Sequence, residues 1–589
     1  MNLVFLFLVA QSVATKPATT AVQAVVHCDF RIEQVDTERR QVVASSRFVF
    51  GDPPGTITLA DGGSRLARQM QASSGLGTGE QTRVDIRVWD GDGRPLKFVT
   101  QNLGLVVDAG AAGQVVVQKR LWVPDRSRGQ ASQHPYGATL SASSGVFLGL
   151  HLFVEPPHGL VRQPIQLMLL ADQDWQMVSV FGEGRRQEVD DLQDLMQQFF
   201  LIGDDLEVVG QQLGSASFRA AYSRRDFDQP LELSQDLLRV AYRAHQTFGP
   251  APQHRLLSLL QPFRETQNQR VLSQRGGSTG QTTLTYVDLL SRSAYTEHPL
   301  SVVGHEISHW WNPRGLPWNG SVPAWLAEGI TTYYEHLLML RADLIDLEGF
   351  AQIMAEQNLR IESTGGRKLS LRRASESFAS VPGAAEIVYR RGVLLGFLLD
   401  HEIRMATQQQ KGLDHWLLEL LERGRRGEPL NEEKAHRTLE EMAGAEVLGW
   451  LTLHLAKGGP AVLDEALRRL GFAPRAVELP FLGFEISAEQ QPTVGRVHPQ
   501  GPSSGRLQRG DRILRVDGTP VSSLEDFRRG LESLTPGQPI EVDVQRLERA
   551  VPVQLTVGRR PGVQVVPIEG QEQTRNKAEN LLRQTVAEH

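Results

Sequence analysis

His305 and His309 stand four residues apart in "SVVGHEISHWWN", with Glu306 directly after the first. On a helix that spacing separates two side chains by about 40° around the axis, so both imidazoles project from one face. Two imidazoles on one face can take two corners of a tetrahedral zinc site. Glu306 points near that face and is placed to accept a proton from a water acidified by the metal. A catalytic site also needs a third protein ligand and an open position. Glu328 is the candidate: eighteen residues separate it from His309, and it opens a second helical pattern, "PAWLAEGITTYYEHLL". The Pro- and Gly-rich stretch "NPRGLPWNGSVP" supplies the reversal that would bring it back, with Trp325, Leu326 and Ile330 as apolar packing behind it. The competing reading is two histidines on an ordinary amphipathic helix.

Positioning these groups falls to an α+β, multidomain chain. Residues 1–23 begin with an apolar run, Leu3 to Ala10, before the small residues Ser12 and Ala14, and read as a secretory signal. The run is too short to span a membrane, so the expected location is periplasmic or secreted, with cytoplasmic as the alternative. Residues 24–190 alternate in short pieces such as "VVHCDFRIEQV" and "GQVVVQKRLWV", which predicts an antiparallel β sandwich. Long helical periods dominate residues 191–476, with two strand-like pieces, "RLLSLLQPF" and "TTLTYVDLL", before the histidine helix. Short strands return over 477–560, and 561–589 reads as a polar, helix-prone tail with no assigned role.

Composition narrows the function classes. Net charge is −6 with both signs interspersed, so no basic field exists for nucleic acid. The single cysteine, Cys28, excludes an internal disulfide and a thiolate-rich metal site. It lies in a strand-like alternation and reads as a buried residue.

HExxH, eighteen residues, then Glu resembles the signature of gluzincin zinc metallopeptidases. The longer string "HEISHWWN…WLAEGITTYYEHLLMLRA" is similar to the glycyl aminopeptidase branch. That resemblance implies a β-rich N-terminal domain, a thermolysin-like, mainly helical catalytic domain and a C-terminal PDZ domain. It implies one zinc ion per chain held by His305, His309 and Glu328, with Glu306 as general base. "VYRRGVLLGFLLDHEIR" resembles a family helix whose tyrosine holds the oxyanion of the tetrahedral intermediate, which points to Tyr389. Asn312 matches the family's Trp-Asn pair, with no derivable chemical role.

One segment departs from the pattern. The family carries Gly-Gly-x-Glu-His before the histidine helix, and its acidic residue can bind a substrate's free amino terminus. Here "SQRGGSTGQTT" keeps Gly276 and Gly277 but neither the glutamate nor the histidine. A strand there could still align a peptide by backbone pairing. Aminopeptidase and endopeptidase therefore both stay open.

"PFLGFEIS" and "LQRGDRILRVDGTPV" resemble a PDZ domain, with Leu482, Gly483 and Phe484 matching the loop that captures a peptide C-terminus through backbone N–H groups. Peptide or protein substrates and a C-terminal peptide ligand are the partners this implies. The other function class is a catalytically silent PDZ adaptor. The presence of both histidines and both glutamates argues for the enzyme.

Overall fold

The computed structural model describes residues 25–585, apart from 62–82, 102–103, 124–137, 157–164, 172–173, 228–229, 263–274, 288–299, 365, 379, 459–460 and 488–491. The apolar segment within residues 1–23 lies outside the described residues. No described helix is long and apolar enough to cross a membrane.

The N-terminal part is built from strands, as the alternation predicts. Six of them form one sheet, in which Val25–Asp36 and Gln41–Phe50 are central. This sheet is mixed and not wholly antiparallel: Val25–Asp36 runs parallel to Ile165–Leu169, with Asp29 opposite Gln166. Its inward side chains, among them Phe30 and Phe48, share one core with Phe153, a three-stranded sheet and a five-stranded sheet. The strand content runs past residue 190, because Phe199–Gly203 pairs antiparallel with Ser144–Leu148. Cys28 is buried in this core, and burial pushes its thiol up to about 12.

A second five-stranded sheet follows, in the order Leu206–Leu213, Ala216–Ser223, Arg255–Pro262, Thr282–Val287, Arg275–Thr279. The two strand-like pieces read before the histidines are its third and fourth members. Its last member, Arg275–Thr279, is an edge strand, antiparallel to Thr282–Val287 through a tight hairpin at Gly280 and Gln281. Helices cover the sheet, and Trp310, Trp311, Tyr333, Tyr334 and Trp416 lie fully buried among them.

The C-terminal strands form a separate sheet with its own core around Ile513, Val542 and Val544. Its helix Leu524–Glu532 starts with a reciprocal cap between Ser523 and Asp526. A two-stranded ribbon, Phe472–Phe481 against Gly558–Pro567, joins this module to the helical part. The stretch read as a polar, helix-prone tail over 561–589 is ordered as far as residue 585. Residues 561–567 complete the ribbon, and Glu572–Arg583 forms a helix docked on the helical core through Ala578 and Leu582. Its apolar face is two residues wide, too sparse to stand out in a polar sequence.

Candidate metal centre

The helix Ser301–Ser308 is buried on nearly every side, which suits a segment containing Val303, Gly304 and Ile307. His305 and His309 project together from its C-terminal end, with ring centroids 4.7 Å apart. The chain then turns through residues 309–323 and re-enters as a π-helical turn, Trp325–Ile330, continuous with the α-helix Thr331–Arg341. Asn312 fixes that return: its side-chain amide donates to Leu326 O at 2.8 Å and Thr331 Oγ1 at 3.0 Å. Glu328 sits in the π turn, a local widening that recurs at functional sites.

The geometry is that of a cation cage. Glu328 Oε2 lies 3.3 Å from His305 Nε2 and 3.6 Å from His309 Nε2. Donors about 2.0–2.1 Å from a tetrahedral zinc lie roughly 3.3–3.4 Å from one another. The three side chains are almost fully buried. The other ring nitrogens are already engaged. His305 Nδ1 lies 3.1 Å from Glu335 Oε2, and His309 Nδ1 lies 2.9 Å from the carbonyl of Asn312. In the neutral rings, Nδ1–H groups donating to these acceptors would leave both Nε2 lone pairs aimed at the cage.

Glu306 completes the cluster: one ligand atom each from His305, Glu306 and His309 lies within 4.8 Å of the others. It is 1% exposed, and neither carboxylate oxygen has a hydrogen-bond partner among the described residues. A buried carboxylate left without donors is costly in a purely structural role. Considering the protein groups alone, burial pushes Glu306 up to about 8, reinforced by the charge of Glu328 and opposed by His305. Burial alone would lower His305, but its hydrogen bonds to Glu328 and Glu335 outweigh this and raise it to about 10. Burial takes His309 down to about 4. Such divergence within one cluster marks a functional site more often than a packing site.

Tyr389 reaches the cluster from the helix Ala384–Ala406. Its hydroxyl donates to Glu328 Oε2 at 3.0 Å. Two glycines permit this approach. A Cβ on Gly392 would lie 2.2 Å from Gly329 Cα, so the π turn and the tyrosine helix touch backbone to backbone. Burial, followed by the charge of Glu328, holds the Tyr389 phenol well above its ordinary value, so it stays a donor.

The edge strand closes the opposite side. A Cβ on Gly276 would lie 2.4 Å from Glu306 Cγ, so this backbone abuts the carboxylate. The retained glycine thus has a steric reason that its one-letter pattern does not reveal. Glu335 and Arg314 were not singled out from the sequence. Glu335 follows Glu328 by seven residues, two helical turns, and that periodicity could have found it.

Residues 318–392, which include Glu328 and Tyr389, match the family model described as M61 glycyl aminopeptidase. The chain resembles the glycyl aminopeptidases. The histidine helix lies upstream of the matched span, so the family segment and the metal geometry are separate observations that meet at Glu328. The resemblance supports a peptidase, a hydrolase of peptide bonds. Residues 470–557 match a PDZ domain model. No curated protein sequence matches the chain. Among solved structures, an aminopeptidase N family protein from Idiomarina loihiensis aligns at TM-score 0.63 and 18% identity, over 94% of this chain and 100% of that one. An M1 zinc metallopeptidase from Deinococcus radiodurans aligns at TM-score 0.44 and 16% identity, over 75% of this chain and 94% of that one. The first of these shares the fold, from the N-terminal sheets through the PDZ module.

The PDZ residues lie together at a sheet edge. Leu482 is buried, Gly483 accepts from the His498 amide at 2.8 Å, and Phe484 opens the edge strand Phe484–Ser487.

Proposed function

We propose that the chain is a zinc-dependent peptidase of gluzincin type. His305, His309 and Glu328 hold one ion, Glu306 is the general base, and Tyr389 stabilises the oxyanion. A bound zinc ion supplies Lewis acidity, polarising the scissile carbonyl and acidifying water. Glu306 takes the proton of the attacking water on a carboxylate oxygen and passes it to the departing nitrogen. The Tyr389 hydroxyl, turned from Glu328 towards the substrate oxygen, donates to the charge that develops there. Glu335 and the Asn312 carbonyl keep the imidazoles in the tautomer that presents Nε2. The Leu482–Phe484 loop takes the C-terminal carboxylate of a peptide, and the N-terminal apolar run directs the protein to the periplasm or outside the cell.

The observation that carries this reading is the meeting of two Nε2 atoms on one Glu328 oxygen beside the unpartnered Glu306 carboxylate. The test is metal analysis of the purified chain with hydrolysis of unlabelled peptide mixtures. One zinc per chain, and turnover abolished in Glu306→Gln with zinc retained, is expected. Peptide binding without turnover would instead establish the adaptor. Aminopeptidase activity follows from the resemblance. Endopeptidase activity is the second reading, favoured by Thr279 standing where the family's segment carries glutamate.

A further inference from the structure

We infer that Thr285 is a positioning residue for the general base: its hydroxyl holds the Glu306 carboxylate through one buried water molecule. This rests on the peptidase reading above and brings into that site a side chain from the sheet, which carries none of the three ligands.

Strand register places the two groups side by side. In the antiparallel hairpin Thr285 stands directly opposite Gly276, and residues so paired share one face of the sheet. That face looks towards the histidine helix, because Gly276 abuts Glu306, and Val287, two positions on from Thr285, belongs to the core under the helices. A side chain at Gly276 would begin 2.4 Å from Glu306 Cγ and Oε1, so the carboxylate occupies the place this glycine leaves empty. Side chains paired across such a ladder start about 5 Å apart. Hydroxyl and carboxylate therefore face each other over about 5 Å, the span of two hydrogen bonds meeting at one water.

Three oxygens at this point lack partners. Thr285 is fully buried, and neither its Oγ1 nor Oε1 or Oε2 of Glu306 has a hydrogen-bond partner among the described residues. Side chains of the sheet cannot satisfy Thr285, which is flanked in its row by Leu260 and Gly276. The adjoining row shows the contrast: there Thr283 Oγ1 donates to Ser258 Oγ at 3.0 Å. An unmet buried hydroxyl and an unmet buried carboxylate each carry a desolvation cost. A water with two to four polar partners relieves both. Held on one oxygen, the carboxylate keeps the other turned to the attacking water. A neutral donor suits the task, because it orients the base without neutralising it.

The experiment pairs a crystal structure of the zinc-loaded full chain with kinetics of two variants. Thr285→Val keeps the branched shape and removes the hydroxyl, and Thr285→Ser restores it. Density for a water about 2.8 Å from both Thr285 Oγ1 and a Glu306 oxygen is expected. Thr285→Val should lose roughly 10- to 100-fold in kcat, with KM within about twofold, and Thr285→Ser should recover most of the loss. Chelator competition should give all three chains the same zinc affinity, which a disturbed sheet would not. No water at that place, or a kcat for Thr285→Val within about twofold of wild type, overturns the inference while the peptidase reading stands. So does a loss that Thr285→Ser fails to recover, which would assign Thr285 to packing. Absence of any hydrolysis by the wild type overturns the peptidase reading, and the crystal structure then still decides whether Thr285 holds Glu306.

Discussion

His305 Nδ1 lies 3.1 Å from Glu335 Oε2, and the two residues belong to different helices, thirty positions apart. The contact sets the ring's tautomer and its rotation, and so the direction of Nε2. Outer carboxylates of this kind typically control metal affinity by 10–100-fold. Glu335→Ala should therefore weaken zinc binding by about that factor, and Glu335→Gln, which retains a carbonyl acceptor, by less. Competition with a chelator of known affinity measures both. Unchanged affinity in Glu335→Ala would show that the contact is incidental.

Metal uptake should expel protons in a pH-dependent way. Without an ion, hydrogen bonds donated to Glu328 and Glu335 hold His305 in its protonated form up to about 10, and burial holds Glu306 protonated up to about 8. A cation needs the neutral imidazole and lowers the affinity of Glu306 for its proton. Between pH 8 and 10, one proton should leave per ion, and affinity should rise about tenfold per pH unit. Below about 8 the release should climb towards two. Calorimetry in buffers of different ionisation enthalpy counts them. Release independent of pH across this range would contradict the assignment.

Gly276 should tolerate no side chain. An alanine Cβ would fall 2.4 Å from both Cγ and Oε1 of Glu306, so the carboxylate must move. Misplacing a catalytic group by about 1 Å can cost about 100-fold. Gly276→Ala should lower kcat by about that much with zinc content unaltered, since the three ligands lie on other elements. Peptide hydrolysis beside metal analysis separates this from a loss of metal.

What the sequence revealed and what it hid divide along chain distance. The two histidines and the start of the glutamate helix were legible because helical periodicity is local and Glu328 opens such a period. The strand-to-helix change read near residue 190 falls later: Phe199–Gly203, Leu206–Leu213 and Ala216–Ser223 are strands, and the first long helix is Pro230–Phe248. Pairing of Val25–Asp36 with Ile165–Leu169 was hidden, because a parallel partner more than a hundred residues away leaves no trace in local alternation. Arg314 was hidden too. Its neighbour, the hairpin at Gly280, is brought to it only by the folded sheet.

The docked C-terminal helix should matter to the metal centre, through Arg341. This arginine ends the helix that carries Glu335 and is fully buried. Its Nε donates to Leu582 O at 2.9 Å, and its Nη2 donates to Gln584 O at 3.0 Å and to Asp414 Oδ2 at 2.6 Å. Arg583 in return donates to the carbonyl of Leu340 in the last turn of the same helix. Removing residues 571–589 would leave a buried guanidinium short of two acceptors. Hydrogen bonds to charged groups contribute about 1.5–3 kcal/mol each. The helix can avoid that cost only by shifting Arg341 outwards, and the shift would carry Glu335 away from His305. The truncated chain should thus melt at lower temperature and bind zinc more weakly. Full-length Arg341→Met, which removes the charge but keeps most of the apolar stem, should bind zinc closer to wild type than the truncation does. Equal zinc affinity in the intact and truncated chains would confine the C-terminal helix to a purely stabilising part.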